Sequence, residues 1–355
     1  MSATNLYLRP LGFLYGPQAA AAIEDGLALP LAGGPIAFTS VELIEGAAGA
    51  SKAYIFPVSA LKEAGDPDLR ARLELVTAPR PPFAGLDMTR PSIMGIVNVT
   101  PDSFSDGGLY DKTEGAVAQA ASLIKDGADI VDIGGESTRP GADTVDVEAE
   151  LDRVLPVLEG LKGTRAVISI DTRKSQVARA AATAGAKIFN DVSAFTYDEA
   201  SLSVAAEAEL DVVLMHAQGE PKTMQDNPSY EDVALEVFDY LAARIETCLE
   251  AGIPRSRIAA DPGLGFGKTL EHNLTLFANV SLFHGLGVPL LIGASRKQFI
   301  RGFGQASEPK SREPGSYAAA IASASQGAQL FRVHDVAGTS QALGVWRAAM
   351  FGAEN

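Results

Sequence analysis

The chain is short of cysteine, of cations and of long apolar runs, and each shortage excludes something. It has 355 residues and one cysteine, Cys248. A single thiol cannot build a disulfide framework, and its place in a helical pattern fits a structural residue in a reducing cytoplasm better than a nucleophile. Lysine and arginine number 29 against 44 acids, a formal charge of −15. That balance speaks against a nucleic-acid surface, while a local cationic pocket for a small anion stays open. No apolar stretch approaches the roughly 18 residues that a membrane span needs, so no membrane association is expected. The start, MSATNLYLRPLGFLYGP, has no basic segment followed by an apolar core, and no secretory leader is expected. With 46% hydrophobic and 21% charged residues, the composition is that of a globular protein with one large unit and room for a small one.

What is present is a repeat. From Ile93 onward, short apolar runs alternate with amphipathic or Ala-rich segments: IMGIVN (93–98), DIVDI (129–133), AVISI (166–170), KIFND (187–191), DVVLM (211–215), RIAAD (257–261), PLLIG (289–293) and LFRV (330–333). Continuously apolar runs suit strands buried on both faces, hence a parallel sheet. Gly127, Gly185 and Gly252 stand where intervening helices end. Eight strands alternating with helices imply an α/β fold, a (β/α)8 TIM barrel over 90–355, with an open doubly wound sheet as the alternative. The first 85 residues stand apart. They hold strand-like pieces, PIAFTSVELI and KAYIFPV, and TAPRPPFAG reads as a Pro-rich linker. We read 1–85 as a small N-terminal extension whose role is not legible.

In a barrel, chemistry sits on the loops after the strands. The first loop, NVTPDSFSDGG (98–108), offers Asn98 as an oxygen donor to a hard cation such as Mg²⁺, or as a turn former. The second, GGESTRPGA (134–142), presents Arg139 on a turn, either to an anion or to solvent. Asp171, Asn190 and Asp261 each close an apolar run. Together they suit a flat ligand edge rich in N–H donors, such as an amino-pyrimidinone, whose faces Met215 and Phe266 would cover. Each acid is also a plausible helix cap, Asp171 in DTRKS most of all. His216, directly after a strand, suits a structural hydrogen bond. At the last two ends, GASRKQF (293–299) and FRVHDV (331–336), Ser295, Arg332 and His334 form an anion-binding corner beside Lys297.

Taken as a set, MGIVNVTPDSFSDGG, DIGGESTRPGA, SIDTRK, FNDVSAF, LMHAQGEPKTMQ, DPGLGFGK, GASRK and RVHDV resemble the signatures of the dihydropteroate synthase family of folate biosynthesis, in its order and spacing. The resemblance runs from about residue 90 to the end. It implies a (β/α)8 barrel, a homodimer and a sulfonamide-targeted transferase. The reaction joins 4-aminobenzoate to 6-hydroxymethyl-7,8-dihydropterin diphosphate with Mg²⁺ and releases pyrophosphate. By resemblance, Asp171, Asn190 and Asp261 hold the pterin edge, Met215 and Phe266 its faces, and Lys297 lies beside both substrates. Asn98 would serve Mg²⁺ and diphosphate, with Arg332 and His334, while Phe104, Thr138, Arg139, Pro140 and Ser295 line the aminobenzoate pocket. Arg332, His334, Lys297 and Asp171 are the expected catalytic group. Ala217 is a mild departure, since many members carry a bulkier residue there. The alternatives are a methyltetrahydrofolate:corrinoid methyltransferase, a pterin-binding protein without turnover, and an aldolase using Lys297 as a Schiff base.

Overall fold

The computed structural model describes residues 5–63, 65–100, 109–137, 143–219, 223–304 and 308–352. The chain opens with β1 (Leu6–Tyr15), α1 (Gly16–Glu24), β2 (Leu29–Pro30), β3 (Ile36–Glu45) and β4 (Lys52–Pro57), then α2 (Val58–Glu63) and α3 (Pro67–Thr77). β3 pairs antiparallel with β1 along one edge and with β2 and β4 along the other. This small sheet leans on the flank of the larger unit. Tyr7 meets Phe238 edge-on with ring centroids 5.4 Å apart, and its hydroxyl donates to Asp239 at 2.8 Å. Tyr15 packs against Trp346 and Phe351. The sheet's core and the outer core of the larger unit are continuous.

The repeat then follows: β5 (Ser92–Asn98), α4 (Leu109–Lys125), β6 (Ile130–Gly134), α5 (Val147–Gly160), β7 (Val167–Asp171), α6 (Ser175–Ala184), β8 (Ile188–Asp191), α7 (Ser201–Glu207) and β9 (Asp211–Met215). It continues with α8 (Val233–Glu250), β10 (Ile258–Asp261), α9 (Leu270–Ala278), β11 (Leu291–Ile292), α10 (Gln298–Gly304), α11 (Glu313–Ala324), β12 (Leu330–Val333) and α12 (Val336–Phe351). The strands pair in parallel from β5 to β10 in chain order, β12 and β11 extend the other edge, and an Ala260–Leu290 bridge joins the two ends. This is the (β/α)8 barrel, and the open sheet is excluded. Helix periodicity explains the outer layer. On α8, Phe238, Leu241, Ile245 and Cys248 recur at three and four residues and face inward. Cys248 is free, and burial pushes its thiol up to about 11. Gly185 takes a left-handed conformation, φ +112°, to end α6. Among the described residues, no helix is long and apolar enough to cross a membrane.

The Pro-rich segment 77–85 is not a free linker. Arg80 is buried and donates to the carbonyls of Leu75, Ala78 and His284 at 2.8–2.9 Å. Phe83 is fully buried within an apolar layer inside the barrel. That layer takes Met94, Ile130, Ile188, Val213, Ala259, Leu291 and Leu330 from seven strands, with Val167 of β7 against it. Proline marked this stretch as irregular, but burying an aromatic ring at the open end of the barrel decided its place.

Candidate active site

Period-two alternation decides what lies above that apolar floor. Along each strand, residues two and four beyond the floor residue share its face. Met94 is thus followed by Ile96 and Asn98, Ile130 by Asp132 and Gly134, and Val167 by Ser169 and Asp171. Ile188 leads to Asn190, Val213 to Met215, Ala259 to Asp261 and Leu330 to Arg332. Strand register sets Asp171 level with Asn190, and Asp261 level with Met215.

Arg332 ties this group together. Its Nε donates to Asp132 Oδ2 at 2.6 Å and its Nη2 to Asp171 Oδ2 at 2.7 Å. Asn190 Nδ2 donates to the same Asp132 oxygen at 3.1 Å. Burial works against the Arg332 charge, yet the carboxylates of Asp132 and Asp171 more than offset it and hold the guanidinium above its ordinary pKa. Burial pushes the Asp171 carboxyl up to about 7 while Arg332 pulls the other way. The second oxygens of Asp132 and Asp171 are buried and have no hydrogen-bond partner among the described residues. A buried acceptor left bare is unfavourable until donors reach it, and two of them lie on adjacent strands of one rim.

Asp261 faces the other wall. Its Oδ1 accepts from the Gly263 amide at 2.7 Å, and burial raises its carboxyl against the pull of Lys297. Lys297 donates to the Leu264 carbonyl and lies 4.7 Å from the Phe266 ring centroid. Burial, opposed by Asp261 and aided by Arg332, lowers its pKa to about 8. In the anion corner, the His334 amide donates to Ser295 Oγ at 3.2 Å, and that oxygen lies 3.1 Å from His334 Nδ1. Ser295 and His334 therefore pair with each other, whereas Arg332 reaches across to the acids. Asn98 ends β5 level with Gly134. Phe104, Thr138, Arg139 and Pro140 lie outside the described residues.

The cap reading of Asp171 does not hold. The residue at the start of α6 is Lys174, which makes no side-chain cap, and the Ser175 amide instead donates to Asp198 at 2.8 Å. His216 is structural: burial and neighbouring Lys268 drive its pKa down to about 3, so the ring is neutral. Asp132 was missed from the sequence because it sits inside an apolar run, although Ile130 and Asp132 share strand parity and could have marked it. Also missed were the buried ion pairs that join Glu136 to Arg173 and Lys174, and Lys174 to Glu150, behind the second and third loops.

Fold and rim together define a barrel of the enzyme class whose mouth, lined by buried acids beside cations, suits a flat, N–H-rich heterocycle and an anion. Comparison with known proteins gives that class its name. Residues 94–334 match the pterin binding enzyme family. The dihydropteroate synthase of Escherichia coli (strain K12) is 48% identical over 273 residues, 76% of this chain and 95% of the relative. The Xanthomonas albilineans dihydropteroate synthase with 4-aminobenzoic acid superposes with a TM-score of 0.71 at 48% identity, covering 75% of this chain and 96% of that one. The same synthase in complex with 7,8-dihydropteroate gives 0.68 at 44% identity, covering 74% and 95%. The chain belongs to the pterin-binding enzyme family and is, within it, a dihydropteroate synthase, a transferase. About a quarter of this chain lies outside these matches.

Proposed function

We propose that the barrel rim performs the condensation of 4-aminobenzoate with 6-hydroxymethyl-7,8-dihydropterin diphosphate through the residues assigned above. The observation that carries this reading is that Asp132 and Asp171, on two adjacent strands and both held by Arg332 from a third, each keep a buried oxygen with no hydrogen-bond partner among the described residues. Pterin N–H and NH₂ groups supply the missing donors to Asp171, with Asn190 and Asp261 completing the edge. Met215 and Phe266 cover the ring faces. As the ring engages Asp171, the guanidinium of Arg332 becomes available to the diphosphate, beside Ser295 and His334.

An arylamine is neutral at pH 7, so its nitrogen lone pair is available and no strong base is required. The carbon–oxygen bond to diphosphate breaks first in an SN1-like step, with the pterin ring sharing the positive charge. The aminobenzoate nitrogen then forms the new carbon–nitrogen bond and releases its proton to water. The chain's contribution is positioning both substrates and stabilising charge on the leaving oxygens. The described residues hold no group of three or more His, Cys, Asp or Glu that could cage a metal. Asn98, with one amide oxygen, fits a Mg²⁺ carried mostly by diphosphate and water, which when bound would offset the leaving charge. Phe104, Thr138, Arg139 and Pro140 complete the aminobenzoate side.

The homodimer has a suitable surface. Leu270 and Leu274, one turn apart on α9, are exposed, as is Phe303 on adjacent α10. Light scattering at micromolar concentration should give twice the chain mass. The one buried cysteine suits a reducing cytoplasm. The deciding experiment is pyrophosphate release from the two substrates with and without Mg²⁺. Metal- and aminobenzoate-dependent release, competed by a sulfonamide, is expected; no release from folded protein would end the proposal.

A further inference from the structure

Lys268 touches no reacting group, yet it is 3% exposed and pairs with no carboxylate among the described residues. A buried lysine is unfavourable unless neutral acceptors surround it. Here Nζ lies 2.9 Å from His216 Nδ1, 3.0 Å from the Phe266 carbonyl and 3.3 Å from the His216 carbonyl. These acceptors belong to two different loops. His216 directly follows Met215 at the end of β9, and Phe266 stands in the loop after β10. One amine therefore spans the two segments that carry Met215 and Phe266.

The surrounding backbone is shaped for that contact. Gly263, at φ +69°, lies so close to the His216 carbonyl that a Cβ there would stand 1.8 Å from it. Tyr230 donates to the Gly267 carbonyl at 2.8 Å, and Gln225 to that of Gly265 at 2.7 Å. The His216 ring is braced edge-on by Tyr240 at 4.9 Å. With Lys268 donating, the Nδ1 lone pair of the neutral ring accepts from the amine.

We propose that Lys268 is a positioning residue that sets the spacing of Met215 and Phe266 and thereby the width of the pterin slot. This rests on the reading that those two side chains cover the pterin faces. Lys268→Met keeps the aliphatic stem and removes the donors. Calorimetry with a hydroxymethylpterin lacking diphosphate should show affinity falling about tenfold or more, since three buried acceptors lose their partner. The KM for 4-aminobenzoate, taken at saturating pterin diphosphate, should stay within about twofold. His216→Asn, which retains an acceptor near Nδ1, should bind pterin better than His216→Leu. Unchanged pterin affinity in folded Lys268→Met, or equal losses for both substrates, overturns the proposal. If Lys268→Met does not fold, equal pterin affinity in the two His216 variants overturns it instead. Phe266→Ala and Met215→Ala separate the levels: if neither weakens pterin binding, the slot itself is misassigned. If both weaken it and Lys268→Met does not, only the role of Lys268 fails.

Discussion

At one end of the barrel, Met94, Ile130, Ile188, Val213 and Leu330 close around Phe83. Two to four residues further along the same strands, the inward positions are Asn98, Asp132, Asn190, Met215 and Arg332. Strand, neighbour and parity are shared, so only the side chains distinguish a packed floor from a charged rim. The floor is satisfied by dispersion and exclusion of water and needs nothing further. The rim holds two acids, Asp132 and Asp171, whose second oxygens have no hydrogen-bond partner among the described residues, so donors brought by a ligand would satisfy them. A barrel of this size can carry such an unsatisfied layer because the floor beneath it is complete.

That contrast can be broken by experiment. The largest effect is expected at the floor: Phe83→Ala should cost about 3–5 kcal/mol in urea unfolding while both KM values hold, because it empties a packed position within the floor and touches none of the rim groups. A shifted pterin KM would show that the two layers are not independent. At the rim, Arg332→Ala should lower kcat by about 10²–10³-fold, the usual loss for one preorganised charge donor, with a smaller change in pterin affinity. Asp171→Asn should do the reverse and weaken pterin binding first. Equal effects of the two on pterin affinity would merge roles that are separate here.

The smallest effect lies at the seam between extension and barrel. Burial and Arg80 lower His284 to about 3 from its ordinary 6.5. The unfolded chain therefore takes up a proton near pH 6.5 that the folded chain refuses until about pH 3. The stability this residue contributes is full above pH 6.5 and is lost as pH falls toward 3, at most about 2 kcal/mol by pH 5. His284→Gln should flatten that slope in urea midpoints taken at pH 7.5 and 5. An unchanged slope would remove His284 from the account.

The strands were legible because a doubly buried parallel strand must be apolar along its whole length, as in DVVLM and AVISI. The rim was legible at strand ends, where Asp171 and Asp261 interrupt apolar runs. Asp132 was not, since its neighbours make DIVDI read as one buried strand and only its inward parity sets it apart. Phe83 was hidden for the opposite reason: proline-rich surroundings suggested solvent. Lys268, in GLGFGK, follows three glycines in five residues, and nothing in that local context marks a buried amine.

The sequence by itself determined the barrel, the order of its elements and the chemical kinds of group that meet a ligand, because burial and alternation are local demands written at fixed spacing. Tertiary structure alone decided which of those groups touch. Arg332 chooses Asp132 and Asp171 over Ser295 and His334, and Lys268 chooses the carbonyls of two loops, because closing eight strands into a ring brings together residues as distant in the chain as Asp132 and Arg332, 200 positions apart.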